Sequence, residues 1–256
     1  MTGNKPEISK IYNAYIETQN EENVNNRYVG KEKYYHASGA NMCLRKHWFQ
    51  INSAPETDKP EMVSKRIMRL GTVVHTDYEN ALNWYEKNRK NGSDIISSNY
   101  STNNSSISSI STEGEIILPE LNVRGFYDAV FQMETGEVYL YDFKTIRAYP
   151  YKLKFGRDPR PEKVPTHEIQ LATYGLGVRE KFGRLDGMFL YYYNKDSSVC
   201  KEREVELEFL EYAQDYWVGV NEKTSGVVPP PVRIDESPMQ RWECNYCTYL
   251  THCQEN

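Results

Sequence analysis

Asp128, Asp142 and Lys144 sit in two short stretches, GFYDAVF at 125–131 and VYLYDFKT at 138–145, that read as paired strands. Side chains alternate across a strand, so Asp142 and Lys144 share one face and Phe143 points into the opposite layer. A carboxylate and an ammonium then line one pocket. Asp128 and Asp142 together offer the hard oxygen ligands that magnesium or manganese takes, around an ion that also holds a phosphate oxygen and a water. Such an ion acidifies the water and offsets charge building on a phosphate, while Lys144, a compact point charge, orients that water or steadies the leaving oxygen. The chemistry implied is metal-assisted hydrolysis of a phosphodiester. A solvated face of an amphipathic hairpin is the simpler alternative for Asp142 and Lys144 alone.

Several elements must position these groups. The strands are aromatic and β-branched, and residues 133–137 between them are a polar turn with a glycine, which predicts an antiparallel hairpin. Upstream, residues 70–88 predict a long helix carrying His75 and Glu79 four apart on one face, and His75 can join the ion or simply pack. Downstream, residues 166–178 predict a helix with Gln170 and Tyr174 as i, i+4 neighbours, polar tips that can meet a nucleotide. Core strands are expected at about 114–118, 123–131, 138–144, 187–193 and 199–207, with a further helix at about 208–223. The serine- and asparagine-rich stretch within 93–112 reads as a flexible insertion. Glu113 and Glu115, before the hairpin, are weaker candidates for a further acidic contact.

The order His75, then Gly125-Phe126-Tyr127-Asp128, then Asp142-Phe143-Lys144, then Gln170 and Tyr174 resembles the RecB-type branch of the PD-(D/E)XK nuclease superfamily. The resemblance implies an α/β, restriction-endonuclease-like core, a mixed central sheet flanked by helices. It implies that His75, Asp128, Asp142 and the backbone carbonyl of Phe143 bind the metal, that Lys144 serves the attacking water, and that Gln170 and Tyr174 position DNA and the active-site strand. Asp142 stands where many relatives carry glutamate, a substitution common in this branch.

Five cysteines form a second signal. Cys244, Cys247 and Cys253 cluster near one end, Cys43 lies two hundred residues earlier and Cys200 stands apart. This spacing does not suit a disulfide framework. Four thiolates bind zinc or a 4Fe-4S cluster, and spacing alone favours zinc. The resemblance reverses that preference: one cysteine before the core and three after it, in a Cys-x2-Cys-x5-Cys run, is similar to the CRISPR-associated RecB-like exonuclease family and the AddB nuclease domain, where an iron-sulfur cluster joins the two ends of the nuclease domain. Cys-Leu-Arg-Lys at 43–46 departs by one residue from the usual Cys-Pro-Arg-Lys. Cys200 reads as a plain buried or edge thiol.

The resemblance runs from about Ser38 to Cys253 and implies a nuclease domain over 38–256, with 241–256 as the cysteine segment and 1–37 as a helical extension patterned by Ile8, Ile11, Tyr12, Tyr15 and Ile16. Composition, 39% hydrophobic and 26% charged, is that of a globular unit long enough to bury a core. No apolar run reaches membrane-spanning length and the first residues lack a signal-peptide pattern, which places the chain in the cytoplasm, or in a host's cytoplasm if it is viral.

A net charge of −5 hides a basic segment: residues 144–163 carry seven cations against Asp158 and Glu162. Arg147, Lys152, Lys154, Arg157 and Arg160, interleaved with Tyr149, Tyr151 and Phe155, suit a loop or broken helix that holds phosphates and stacks bases. A solvated charge run is the alternative. Arg45, Lys46 and His47 beside Cys43, and Lys65, Arg66 and Arg69, form two further basic groups that extend the groove. No phosphate-loop motif and no internal repeat is present. The function expected is a metal-dependent DNA exonuclease acting on single strands or free ends, in recombination, repair, phage DNA processing or CRISPR adaptation. It would work alone or with a helicase, recombination or integrase partner, and a non-catalytic or partner-activated DNA-binding adaptor is the alternative.

Overall fold

The computed structural model describes residues 7–28, 33–89, 107–160, 165–230 and 241–255. In chain order the helices are α1 (Ile8–Tyr28), α2 (Leu44–Ile51), α3 (Met62–Arg89), α4 (Ala148–Phe155), α5 (Thr166–Phe182), α6 (Phe209–Thr224), α7 (Arg241–Cys244) and α8 (Leu250–Glu255). The strands are β1 (Tyr35–His36), β2 (Ile107–Leu118), β3 (Val123–Met133), β4 (Val138–Ile146), β5 (Gly187–Asn194) and β6 (Cys200–Val205). They form one mixed sheet flanked by helices, a restriction-endonuclease-like arrangement: β1 with β3 and β4 with β5 pair in parallel, the other neighbours antiparallel.

The expected hairpin is β3–β4. Met133 N–H donates to Glu137 O at 2.8 Å, and Gly136 supplies the positive φ, 96°, that closes the turn. The first core strand is longer than expected: β2 begins at Ile107, so residues 107–112 are ladder and not insertion, because Ile107 and Ile110 find Met133 and Phe131 across it. The rest of the expected insertion, up to residue 106, lies outside the described residues. Short elements escaped the sequence pattern, among them two-residue β1, eight-residue α2, four-residue α7 and six-residue α8, all too short to show a period.

One helix layer is α5 with α6. From Glu168 to Val178 every α5 residue is buried, which is why that helix shows no amphipathic stripe. Trp217 of α6 is fully buried and donates its indole N–H to Thr173 Oγ1 at 2.8 Å, satisfying the one polar atom the ring brings inside. On the other side of the sheet α3 packs Tyr78 against Phe143 and Tyr191. Asp142 and Lys144 therefore face α5 while Phe143 faces α3, the alternation that strand geometry requires.

Candidate active site

Strand β3 has β2 along one whole edge, but its other edge is divided. β1 pairs with Val123 and Arg124, β4 pairs from Ala129 onward, and Gly125 to Asp128 lie between. One more step of the β3–β4 register would set Asp128 opposite Asp142, two like charges at cross-strand distance, an arrangement that is destabilising. The strands part instead. Phe143 N–H, which would have continued the ladder, donates to Asp128 Oδ2 at 2.5 Å. The gap this leaves in the sheet is where the predicted residues gather.

Asp128 Oδ2 also lies 3.5 Å from His75 Nδ1 on α3. Asp142, 2% exposed, has Oδ2 2.6 Å from Lys144 Nζ. Lys144 Nζ donates to Gln170 Oε1 at 3.0 Å, and Gln170 Nε2 donates to the Tyr174 hydroxyl at 2.8 Å. Tyr174 then returns to β3, because a side chain at Gly125 would put its Cβ 2.5 Å from Tyr174 Cε1 and 2.9 Å from Ala37 Cβ. A relay of four side chains thus runs from Asp142 to the floor of the gap, and glycine at 125 is what lets the tyrosine in.

The electrostatics are those of a place where acids are held against their preference. Burial pushes the Asp142 carboxyl up to about 6, and the Asp128 charge adds to this, with Lys144 and His75 opposing. Burial pulls His75 down, but its hydrogen bond to Asp128 and the charges of Asp128 and Asp142 outweigh it, so its net shift is upward. Asp142 Oδ2 is buried and makes no well-aligned hydrogen bond even with the lysine so close. Two hard carboxylates and an imidazole, with one buried oxygen poorly satisfied, fit a divalent cation in chemical type. Among the described residues no three His, Cys, Asp or Glu side chains converge closely enough to enclose an ion as they stand.

Asp128 opens onto a cleft of about 750 Å³ between α3 and β3, walled by His75, Glu79, Glu113, Arg124 and Tyr174. Of the two acids singled out before the hairpin, Glu113 faces this cleft while Glu115 is ion-paired with Arg124. Arg124, only 4% exposed, is a site residue the sequence reading missed. The signal was present: Arg124, Phe126 and Asp128 are two apart on one strand, so they share a face, and all three line the cleft.

A model of the PD-(D/E)XK nuclease superfamily matches residues 77–254, from just after His75 to beyond Cys253. The chain belongs to the PD-(D/E)XK nuclease superfamily. It is an enzyme of nucleic-acid hydrolysis, and members of this superfamily generally use divalent metals such as magnesium or manganese. No curated protein matches the chain. Among solved structures, SSO0001 resembles it with a TM-score of 0.58 at 16% identity, covering 96% of this chain and 97% of that one. A protein from Eubacterium rectale, provisionally named an exonuclease, gives a TM-score of 0.51 at 14% identity over 90% and 92% of the two chains. An alkaline exonuclease from Laribacter hongkongensis gives 0.43 at 13% over 75% and 88%. At these identities the likeness is one of fold.

In this PD-(D/E)XK nuclease the basic segment after β4 is partly helical. α4 occupies Ala148–Phe155, tied down by Ala148 N–H donating to Asp196 Oδ2 at 2.7 Å. Arg147, Lys152, Arg157 and Arg160 are exposed, whereas the Lys154 ammonium is buried 5.0 Å from the Tyr192 ring centroid. Of the interleaved aromatics, Tyr149 is 72% exposed, while Tyr151 and Phe155 pack on each other and Phe155 on Tyr192. Lys163 and Glu162 lie outside the described residues. Tyr174, expected at DNA, is 4% exposed and forms cleft wall.

Cys43, Cys244, Cys247 and Cys253 line one cavity of about 160 Å³ between α2 and the C-terminal segment, with Arg45 and Lys46 beside them. Cys43 N–H donates to Glu243 Oε2 at 3.1 Å, and Arg45 Nη1 lies 3.7 Å from Cys253 Sγ. Burial raises the thiols of Cys43, Cys244 and Cys247, and each is raised further by neighbouring cysteines of the group. Cys200 is elsewhere, on β6, with Sγ 3.3 Å from the Tyr78 hydroxyl. Among the described residues no helix is long and apolar enough to cross a membrane.

Proposed function

We propose that this PD-(D/E)XK nuclease is a DNA exonuclease of the RecB-like iron-sulfur branch, acting on single strands or free ends. The observation that carries the catalytic reading is the relay Asp142–Lys144–Gln170–Tyr174 ending at Gly125, beside Asp128 and His75. Asp128, Asp142 and His75 would hold the divalent ion, and Phe143 would add its carbonyl. When bound, the ion supplies Lewis-acid stabilisation of the phosphate and a more acidic water.

The protein's own groups do the rest. Lys144 has three N–H donors and no acceptor, and two of its neighbours, Asp142 and Gln170, hold its head in place. The remaining donor capacity is available to the attacking water or a phosphate oxygen. Gln170 and Tyr174 act through Lys144 as positioning residues. The exposed Arg147, Lys152, Arg157 and Arg160 follow the active-site strand and would carry the backbone of the DNA outward. Lys154, buried on Tyr192, is assigned to packing instead.

Four thiols around one cavity offer the donor set of a 4Fe-4S cluster or of a zinc ion, and the iron-sulfur reading rests on the order of one cysteine before the core and three after it, which resembles the iron-sulfur nucleases. Visible thiolate-to-iron absorption in anaerobically purified protein is expected; colourless, zinc-containing protein would assign the four thiols to zinc.

The decisive experiment incubates the anaerobically purified protein and its Asp142→Ala variant with magnesium or manganese and with single-stranded or duplex DNA labelled at the 5′ or the 3′ end. Metal-dependent release of end label, lost in the variant, is the expected result. Internal cuts without terminal release would replace the exonuclease reading by an endonuclease. DNA binding without any cleavage would replace it by a partner-activated nuclease or an adaptor.

A further inference from the structure

The cleft beside Asp128 has two chemically different ends. α3 presents Arg69, Thr72, Thr76 and Glu79 to it, three or four residues apart and so on one stripe, with His75 beside Thr76. The Glu79 end faces Glu113 and Asp128, and it is the acidic end suited to a cation. Ten residues along the helix, about 15 Å by its rise, the stripe ends in a guanidinium.

The two arginines of this cleft are treated differently. Arg124 is neutralised by Glu115. Arg69 has no carboxylate partner among the described residues. Its Nη2 donates to the Tyr15 hydroxyl of α1 at 3.2 Å, and its Cζ stands 5.5 Å from the centroid of the same ring. A guanidinium carries five N–H donors, so this contact fixes its direction and leaves most of its donors available. Ser38, Thr72 and His36 line the same cleft, the Thr72 hydroxyl donating to Met68 O at 3.5 Å. α1 is held against α3 here by a second tie, Glu17 with Lys65 at 3.1 Å.

We infer that this end of the cleft is a second phosphate subsite, in which Arg69, aimed by Tyr15, takes a phosphodiester neighbouring the one that is cleaved. The inference rests on the nuclease reading for its direction, from the acid end where hydrolysis occurs to the cationic end where the strand is gripped. The N-terminal helix acquires a role in this way, since α1 supplies the tyrosine that orients the cation. Guanidinium donors meeting a backbone phosphate carry no base preference, so the subsite is expected to be indifferent to sequence.

The test measures binding of a fluorescent oligothymidylate without divalent metal, as a function of salt, for the wild-type protein, Arg69→Gln and Arg69→Lys, with melting temperatures alongside. Loss of a charged contact of this kind predicts about tenfold weaker binding for Arg69→Gln and a salt slope shallower by about 0.7, with Arg69→Lys keeping the slope and part of the affinity. In cleavage assays the loss falls more on KM than on kcat. Unchanged affinity and slope in Arg69→Gln, with or without a lowered melting temperature, would overturn the subsite and leave Arg69 as a tie between two helices. Wild-type binding that shows the Arg69 dependence without any cleavage would uphold the subsite and overturn the stand-alone exonuclease reading instead, so the two failures are distinct.

Discussion

Asp128 accepts the Phe143 amide at 2.5 Å, so one carboxylate of the site takes the place of a rung in the β3–β4 ladder. The bond satisfies the donor that parting the strands exposes, and a buried amide left without one costs on the order of 1–3 kcal/mol. Fold and site are thus coupled at this residue. Asp128→Ala is expected both to abolish cleavage and to lower stability by about that amount, whereas Asp128→Asn, whose amide oxygen can still accept, should lose cleavage with the smaller stability change. Urea unfolding of the two variants checks this; equal destabilisation by both would separate the hydrogen bond from the fold.

On the proposed reading Lys144 and Asp142 form the reacting core of the relay, so Asp142→Ala and Lys144→Ala are each expected to reduce cleavage by at least about a hundredfold, the scale of losing a preorganised electrostatic group. DNA binding at the exposed basic residues should persist in both. Single-turnover cleavage with a separate binding titration gives the two quantities, and cleavage retained in either variant would remove that residue from the chemistry.

Tyr174→Phe tests positioning without touching the reacting groups. Gln170 Nε2 donates to the Tyr174 hydroxyl, and without it the buried amide loses its acceptor and its hold on Lys144. A fall in kcat of about tenfold with little change in DNA affinity is expected, together with about 1–3 kcal/mol of lost stability. Gly125→Ala should act on the same point from the other side by forcing a Cβ into the tyrosine ring, an overpacking cost of about 1–3 kcal/mol. If Tyr174→Phe weakened DNA affinity and spared kcat, the tyrosine would belong to substrate contact and not to the relay.

The motif residues were legible because strand and helix periods are local. Asp142 and Lys144 two apart, and Gln170 and Tyr174 four apart, are placed on shared faces by the backbone alone. The gap between β1 and β4 was not legible, since it depends on a two-residue strand that shows no period and pairs with residues nearly ninety positions away. Lys154 shows the limit from the other direction: a lysine in a basic run looks solvated, and its burial on Tyr192 comes from the course of α4 over β5, a tertiary fact. Arg69 looked like one of three neighbouring cations until Tyr15, on another helix, distinguished it from Lys65 and Arg66.

His47, expected with Arg45 and Lys46 along the groove, is instead buried in the core and gives a pH dependence unrelated to catalysis. It is fully buried among Tyr35, Tyr216 and Trp217, and burial, with a smaller contribution from Lys46, lowers its ring to about 4 from 6.5. Above pH 6.5 the ring is neutral in both folded and unfolded chains and the full stability is present. As pH falls below 6.5 the unfolded chain takes the proton first, so stability declines until about pH 4, by about 3 kcal/mol from this group. Urea unfolding of the wild type and His47→Gln across this range should show a shallower slope in the variant; identical slopes would assign the acid sensitivity to other groups.

The C-terminal segment is held twice, so loss of one cysteine should not by itself release it. Apart from the cysteine cavity, Thr57 and Asp58 N–H both donate to Thr248 O, and Asp58 accepts from the Thr251 amide and hydroxyl at 2.8 and 2.9 Å, capping the start of α8. Phe49 packs against Tyr249 and His252 beside this clasp. Cys247→Ser is therefore expected to lose the bound metal and lower the melting temperature while residues 248–255 keep their amide protection. Asp58→Ala alone should loosen α8 with the metal retained, and the double variant should release the whole segment. Hydrogen exchange of the three variants reads this directly. Complete loss of protection in Cys247→Ser alone would mean that the thiolates, and not Asp58, carry the attachment.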